Sequence, residues 1–400
     1  MNTIHQTLTA SLLAALLVAA NATGLAAQTV VVHEGDEIRL SADGAAGGEL
    51  RDTVFSVTDF DHPESDSNPD FRKTRLMLLP IIFRSPDTGF AGGLLPQAVF
   101  RAGPDRNPSS IRMDAYYTQK HQYHLLLRST IWLNHDRTGL NARFSLKKWP
   151  TNFFGTGNNT FGQSPEPFTD HIRELELEAI QLLTQGIYAG AGYRLRSGRV
   201  VPDEQDGPLS VGGIIGVDRS TVSGLSAVLR YDTRDHHYFP TRGSWNLLEL
   251  YRSDEIIGSD FGFTRLTLDL RQYFPLGKDQ VFALQGVIEL TSGEVPFRVL
   301  PSAGSVLRGY SEVRHIAGNK VAFQAEYRWV PVAGRIGFTV FAGAGDVFDH
   351  LGDLRSNRIK YSFGVGIRYL FSRPEKINIR FDYGFGRESS GDYMDLTEDF

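Results

Sequence analysis

Cysteine is absent from the 400 residues. Its absence excludes disulfide bridges, thiolate metal sites, cysteine nucleophiles and a lipid anchor on cysteine. A large charge of either sign is also lacking, since 46 acidic and 41 basic residues leave a formal net charge of −5. Because acids and bases are mixed along the chain, no nucleic-acid partner is indicated. Although 400 residues could hold two or three domains, no internal stretch resembles a linker between folded units.

No apolar run is long enough to predict a transmembrane helix. The apolar run nearest the N-terminus extends from about Leu8 to Val18 and is followed by small residues up to Ala27. A short apolar core that ends in small residues is typical of a secretory signal peptide, here residues 1–27. The alternative is a buried N-terminal helix, which the absence of Lys and Arg before the run would fit. We therefore expect an exported protein.

From about residue 74 onward, apolar side chains recur at every second position. In the segment 361–369, Tyr, Phe, Val, Ile and Tyr alternate with Ser, Gly, Gly and Arg, and the segments 265–271, 321–329 and 377–384 behave alike. A soluble β-sandwich also alternates, but here the polar face carries Arg, Asp and Glu at strand centres. A lipid-facing exterior around a wet, charged lumen needs that arrangement, so the pattern predicts an all-β transmembrane antiparallel β-barrel.

About sixteen strands are expected, within the range of bacterial outer-membrane barrels. Their predicted spans are 75–84, 90–102, 110–119, 122–134, 139–149, 169–185, 187–199, 220–232, 243–254, 260–273, 279–292, 318–330, 335–346, 359–371, 376–386 and 392–400. Connections after odd-numbered strands are long, at 150–168, 200–219, 293–317 and 347–358, and the others are mostly short. Long outer loops and short periplasmic turns are typical of these barrels. Phe400 is then predicted to end the last strand, as an aromatic signal at the inner interface.

The barrel domain is therefore predicted to cover 74–400, preceded at 28–73 by a short periplasmic leader. The leader is rich in Gly, Ala and Asp and then acidic, which predicts flexibility. Within it, 29–32 and 54–57 could form short strands.

Three motifs lie at defined places in this strand order. The turn after strand eight contains Asp232, Asp235, Phe239, Pro240 and Gly243. The sixth outer loop contains Val-Leu-Arg-Gly-Tyr at 306–310, and the third contains Phe-Phe-Gly-Thr-Gly-Asn at 153–158, with Phe154, Gly155 and Gly157. Together these motifs resemble the bacterial surface antigen family, the superfamily of outer-membrane assembly factors and two-partner secretion transporters. The resemblance covers roughly residues 74–400.

The resemblance implies a sixteen-stranded barrel whose sixth outer loop folds into the lumen, where acidic residues hold its arginine. Arg308 matches that arginine, with Gly309 for the turn and Tyr310 for the aromatic. A guanidinium inside a lumen needs a carboxylate partner. The family's usual partner is the Asp of an F-x-D-x-G motif on strand thirteen, but Gly343 occupies that place here.

We therefore expect Arg308 to pair with Glu326 or Asp382, both predicted to face inward. The alternative is that Arg308 is a solvated loop arginine.

Two further groups of charged residues have both a structural and a functional interpretation. Asp232 and Asp235 are favoured as caps of a tight turn over substrate contacts, with Phe239-Pro240 as an interfacial anchor. The alternating glutamates 174, 176 and 178 lie beside Arg143 and Lys147 on a neighbouring strand. They are predicted to form lumen-wall ion pairs, with a selectivity strip as the alternative.

Enzyme motifs are weak. An S-x-x-K match at 145–148 lies within a predicted strand, and the glycines at 343 and 345 form only part of a nucleotide-binding pattern. His236 and His237 are adjacent, so their side chains leave opposite faces of an extended chain and chelation is disfavoured. We predict no enzymatic activity, no cofactor and no metal.

Most members of the family carry polypeptide-transport-associated domains before the barrel, and 28–73 is too short for one. A barrel-only member is expected, in the cell outer membrane. Its expected partners are outer-membrane lipids, the insertion machinery that assembles it and a separate periplasmic protein.

Two functions remain open. One is insertion or translocation of proteins or lipids through a weak seam between the first strand, with Pro80, and the last, with Asp395, Glu398 and Asp399. The other is a passive pore or a structural surface protein.

Overall fold

The computed structural model describes residues 30–32, 38–40, 74–85, 89–101, 107–277, 279–372 and 376–400. Within the predicted leader, Val30–Val32 pairs antiparallel with Ile38–Leu40 in a two-stranded sheet of its own. The predicted signal peptide at 1–27 and the predicted short strand at 54–57 lie outside the described residues.

The period-two segments form one antiparallel sheet of sixteen strands, in which every strand neighbours the next one along the chain. The strands are β1 (Arg75–Ser85), β2 (Gly89–Phe100), β3 (Ser109–Thr118), β4 (Tyr123–Leu133), β5 (Thr138–Phe153), β6 (Glu166–Thr184), β7 (Ile187–Pro202), β8 (Ser220–Asp232), β9 (Gly243–Ser253), β10 (Phe263–Pro275), β11 (Gln280–Gly293), β12 (Asn319–Ala333), β13 (Ile336–Phe348), β14 (Lys360–Ser372), β15 (Ile377–Gly386) and β16 (Ser389–Leu396). The predicted strand order is confirmed, with boundaries a few residues from those expected.

The two faces of the sheet have opposite chemistry. On β14, Tyr361 is 59% exposed and faces outward, whereas Arg368 is 0% exposed and faces inward. On β15, Phe381 is exposed while its neighbour Asp382 is buried. An apolar exterior around a charged interior is the inverse of a soluble core, and it suits a sheet surrounded by lipid.

The sheet curls until its far strands meet across the interior. Arg112 on β3 forms a salt bridge of 2.7 Å with Asp395 on β16. Asp395 therefore faces inward, where it has a cationic partner, while β1 and β16 stand at the two ends of the strand order.

The connections differ in length on the two sides of the sheet. The long outer connections are loop 3 (154–165), loop 4 (203–219), loop 6 (294–318) and loop 7 (349–359), as predicted. The turns at 134–137, 185–186 and 334–335 on the opposite side are short, and the turn at 233–242 is the long exception. Among the described residues, no helix has the length and apolar character needed to cross a membrane.

The end of the last strand differs from the prediction. β16 ends at Leu396, and Thr397, with φ 75°, turns the chain inward. Phe400 is 5% exposed and packs against Tyr273, Val281 and Ala283. The prediction that Phe400 ends a strand at the interface is therefore wrong, because its ring is buried among side chains of β10 and β11.

Candidate functional site in the sheet interior

Loop 6 brings Arg308 into contact with side chains on the inward face of the sheet. Arg308 is 4% exposed; its Nη2 lies 2.5 Å from Glu326 Oε2 on β12, and its Nη1 lies 2.7 Å from Asp382 Oδ2 on β15. Both candidate carboxylates from the sequence thus contact the same guanidinium. The ring of Phe341 lies 3.5 Å below it, in a cation–π contact.

These residues belong to a larger ionic cluster, which we call the arginine cluster. It contains Arg308, Arg328, Arg368, Arg380, Glu326, Asp382, Glu398 and Asp399. Its four arginines and four carboxylates cancel in formal charge. Burial alone would lower the pKa of Arg308, but the carboxylates around it, Glu326 first, raise that pKa above its ordinary value. Arg308 is therefore held charged inside the sheet.

Glu326 lies at the centre of this cluster. Its side chain is completely buried, and it accepts from Arg328 Nε at 2.6 Å and lies 3.4 Å from Arg368 Nη2, in addition to Arg308. Sequence reasoning missed Arg328 and Arg368 as members of the site. Alternation along β12 and β14 places both on the inward face, but it cannot say which carboxylate across the interior each one meets.

The strand position that carries Asp in the family motif is filled here by loop 6 itself. A Cβ at Gly343 would lie 2.8 Å from Leu307 Cδ2 and 2.9 Å from the Phe323 carbonyl oxygen. Leu307 is completely buried. A side chain at 343 would therefore collide with loop 6, which accounts for the glycine. The carboxylates that contact Arg308 come from β12 and β15 instead.

Glycines on β15 let the tip of loop 6 approach its backbone. A Cβ at Gly384 would lie 2.7 Å from the Arg308 carbonyl carbon, and one at Gly386 would lie 2.5 Å from the Tyr310 ring. Gly309, with φ 108°, turns the tip and donates its N–H to the Tyr393 hydroxyl at 2.7 Å. The Tyr310 hydroxyl donates to the Tyr361 carbonyl at 2.9 Å. Backbone and side-chain bonds thus fix the whole tip.

Loop 3 holds the descending part of loop 6 from the outer side. Gly157, with φ 95°, donates its N–H to the Ile316 carbonyl at 2.7 Å. The Arg314 guanidinium lies 4.8 Å from the centre of the Phe154 ring. Gly155 has φ 87° and turns the chain between these two contacts. The third-loop motif from the sequence therefore contacts loop 6 directly.

His315 is completely buried at this contact between loops. Its Nδ1 lies 2.5 Å from Thr160 Oγ1, and its ring packs edge-on against Tyr310. Burial, and then the nearby Lys360 and Arg314, lower the pKa of His315 to about 3. The histidine is therefore neutral at ordinary pH and acts as a hydrogen-bonding and packing group.

The turn after β8 is held by its own side chains. Asp235 Oδ1 accepts from the Thr241 N–H at 2.8 Å, and Asp232 accepts from Arg234 Nη2 at 2.7 Å. A Cβ at Gly243 would overlap the Thr233 carbonyl oxygen, so only glycine fits. Phe239 and Pro240 are buried. These contacts favour the structural interpretation of the turn.

The two histidines of that turn also serve within it. His236 Nδ1 accepts from the Tyr238 and Phe239 N–H groups, both at 3.2 Å. His237 Nδ1 lies 3.1 Å from Arg234 Nη2, and its ring packs near Trp132 on β4. Burial, and then the charge of Arg234, lower the pKa of His237 to about 4.

The opposite wall of the sheet, β4–β9, encloses a cavity of about 370 Å³. Charged residues line it, including Glu176 and Glu178 on β6. Arg143 lies 3.7 Å from Glu176, and Arg230 Nη2 donates to Glu178 at 2.8 Å. Glu174, the third alternating glutamate, pairs with Arg196 on β7 rather than with Lys147. The expected ion pairs along this wall are present, with partly different partners.

The comparisons agree with this architecture. A family model for the Omp85 superfamily domain matches residues 215–399, which include the turn after β8, loop 6 and the arginine cluster. Residues 215–399 therefore carry an Omp85 superfamily domain. The chain is an integral β-barrel of the outer membrane.

Solved Omp85 structures share the fold at low sequence identity. BamA from Haemophilus ducreyi, in a form lacking POTRA domains 1–3, is 16% identical with a TM-score of 0.50, over 81% of this chain and 70% of that one. CdiB from Acinetobacter baumannii is 10% identical with a TM-score of 0.52, over 81% and 60%. CdiB from Escherichia coli is 11% identical with a TM-score of 0.52, over 83% and 62%. The chain therefore spans between 60% and 70% of the length of these proteins.

Proposed function

We propose that this Omp85 barrel inserts or translocates proteins or lipids in the outer membrane, with loop 6 as the plug of its lumen. The observation that carries the proposal is the buried Arg308, held by Glu326 and Asp382 on two different strands. A loop fixed across the interior narrows the path that a passive pore would use.

Release of loop 6 would leave buried carboxylates with fewer partners. Removing Arg308 from the interior would leave Glu326 and Asp382 with fewer cationic partners while the rest of the cluster stayed buried. Breaking a buried ion pair by removing one partner costs about 3–5 kcal/mol. Loop 6 therefore stays seated in the resting state, and its release requires another source of free energy, such as a bound substrate or partner protein.

A passive pore is the second candidate, and the cavity along β4–β9 favours it. A second cavity of about 140 Å³, lined by Glu174, Arg196 and Val299 among others, shares Glu176 and Arg194 with the first. Together they run along the inward face of β4–β10, and loop 6 reaches the second cavity at Val299. If they connect the two mouths of the barrel in the membrane, ions would pass without movement of loop 6.

The proposed partners follow from the membrane location and the function. They are outer-membrane lipids, the insertion machinery that assembles the barrel, and a separate periplasmic protein that would collect substrates. The seam between β1 and β16 is the proposed exit toward lipid. The charged residues Glu398 and Asp399 lie beyond β16 and do not weaken its pairing, so the seam proposal rests on Pro80 and on the short β16.

The test uses the full chain reconstituted into phospholipid vesicles. Two reactions are followed: insertion of a urea-unfolded outer-membrane β-barrel protein, and movement of a fluorescent phospholipid between leaflets. We expect the wild type to accelerate at least one reaction over empty vesicles and Arg308→Ala to change that rate. Arg252→Ala, which removes an exposed arginine paired with Asp254 at 2.9 Å, serves as the matched control.

One outcome of the vesicle experiment would contradict the proposal. A wild type that accelerates neither reaction but leaks ions steadily would support the passive pore instead.

A further inference from the structure

The four residues after β16 turn into the sheet interior instead of continuing along its edge. The Thr397 N–H donates to the Asn378 carbonyl at 2.7 Å, and the left-handed backbone at Thr397 redirects the chain. We call residues 397–400 the tail. Its three remaining side chains all contact the interior.

Glu398 meets two arginines of the cluster. Its Oε2 lies 2.8 Å from Arg368 Nε and 3.7 Å from Arg328 Nε, and its Oε1 accepts from Asn378 Nδ2 at 2.8 Å. The carboxylate is almost completely buried. A glutamate in such a place needs these partners, since an unpaired buried charge is strongly unfavourable.

Asp399 contacts Arg308 of loop 6 directly. Its Oδ2 lies 3.5 Å from Arg308 Nε, and its Oδ1 lies 2.8 Å from Arg380 Nη1. Arg308 therefore faces three carboxylates: two from the strands and one from the tail.

Phe400 anchors the tail below the cluster. Its ring packs against Tyr273, Val281 and Ala283, and Arg328 Nη2 donates to its carbonyl oxygen at 2.9 Å. Burial of an aromatic side chain stabilises such a contact without requiring a particular charge state.

We propose that the tail is an internal latch that holds loop 6 in its plugging position; this inference rests on the proposed role of loop 6 as the plug. The reason is the balance of charges in the arginine cluster. With the tail in place, four arginines face four carboxylates. Without it, the same four arginines face only Glu326 and Asp382, which leaves two buried positive charges without compensation.

Docking of the tail and seating of loop 6 are therefore coupled. Removing the tail carboxylates destabilises the cluster that holds Arg308, and releasing loop 6 removes one of the two cations that bind Asp399. Such coupling is reciprocal. A partner or substrate that draws the tail out would thereby release loop 6, although it touches neither Arg308 nor the outer loops.

The test measures exposure of loop 6 and does not depend on the substrate. Because the chain has no cysteine, Leu307→Cys provides a single thiol at a completely buried position of loop 6. A membrane-impermeant maleimide is added to the reconstituted full chain. We expect slow labelling in this background and a rate about tenfold higher or more when Glu398→Gln and Asp399→Asn are added together. Asp392→Asn, an exposed carboxylate on β16, should leave the rate unchanged.

Three controls keep the result interpretable. Far-UV circular dichroism shows whether the sheet survives each substitution, and Val313→Cys, also buried in loop 6, repeats the measurement at a second position. Ile256→Cys, on an outer loop and 93% exposed, gives the maximal labelling rate.

Failure of the latch and failure of the proposed function are distinguishable. Labelling that rises with Arg308→Ala but not with the tail substitutions would overturn the latch and leave the plug intact. Labelling that rises with the tail substitutions, in a protein that accelerates neither vesicle reaction, would uphold the latch and contradict the proposed function.

Discussion

Two walls of the same barrel use inward-facing charges in different ways. On the loop 6 side, Arg308 and Glu326 are 2.5 Å apart and almost completely buried. On the cavity side, Arg143 and Glu176 are 3.7 Å apart, with side chains 45% and 38% exposed. Residue types and strand alternation are alike on both walls. The difference arises because loop 6 and the tail cover Arg308 and Glu326, whereas Arg143 and Glu176 line a cavity.

The contrast shows which ion pairs can hold a loop in place. Exposed pairs contribute little to stability because water and salt screen them. Buried pairs are costly to separate, since each partner left behind is an uncompensated charge. The arginine cluster can therefore hold loop 6 in place, whereas a half-exposed pair such as Arg143–Glu176 can rearrange around ions or polar groups at low cost.

The largest expected effect comes from removing the central carboxylate of the buried wall. Glu326→Ala leaves Arg308, Arg328 and Arg368 without a shared partner, so we expect a loss of about 3–5 kcal/mol in the free energy of unfolding. The measurement is the urea dependence of unfolding in detergent micelles, followed by tryptophan fluorescence. A loss below about 1 kcal/mol would show that water compensates these arginines and that the cluster is not a lock.

Acid should act on the turn after β8 as well as on loop 6, where burial lowers the pKa of His315 to about 3. The pKa of His237 is about 4 in the folded protein, below the ordinary value of 6.5. Between these values the unfolded chain binds a proton that the folded protein does not, so stability is full above pH 6.5 and falls as the pH drops toward 4. The contribution is at most about 3 kcal/mol.

His237→Gln should flatten this pH dependence between pH 6.5 and 4. The unfolding midpoint is measured at several pH values for both proteins. Equal slopes for the variant and the wild type would exclude His237 as the titrating group.

The next effect concerns Gly343, where the family motif has Asp. Gly343→Asp forces the new side chain against Leu307, and such overpacking costs about 1–3 kcal/mol. Adding Leu307→Ala makes room and should restore part of the loss in the same unfolding measurement. A single variant more stable than the wild type would mean that Leu307 yields freely and that the introduced carboxylate pairs with Arg308.

The smallest effect on stability is expected from the pair Arg143–Glu176 in the cavity wall. Glu176→Ala removes the same residue type as Glu326→Ala, yet its pair with Arg143 is half-exposed, so a change of about 0–1 kcal/mol is expected. Raising the salt concentration should reduce even that difference. A loss as large as that of Glu326→Ala would remove the distinction between the two walls.

The strands and their inward faces were predictable from the sequence, because apolar and polar side chains alternate along each strand. This period of two arises since one face of the sheet meets lipid and the other carries charges. The partners of Arg308 were predictable for the same reason, since Glu326 and Asp382 are inward-facing acids near its loop. The extra arginines were not, because their pairing depends on contacts between strands far apart in the chain. The tail was mispredicted since Phe400 resembles an interfacial aromatic, and alternation carries no information on a left-handed turn at Thr397.

The most direct test of the plug is single-channel conductance of the refolded full chain in planar bilayers, wild type against Arg308→Ala. We expect a nearly silent wild type and a conducting variant, because loss of the guanidinium releases loop 6 from Glu326 and Asp382. Equal, steady conductance of both proteins would contradict it, since Arg308 would then be no lock and the cavity along β4–β9 would be the pore.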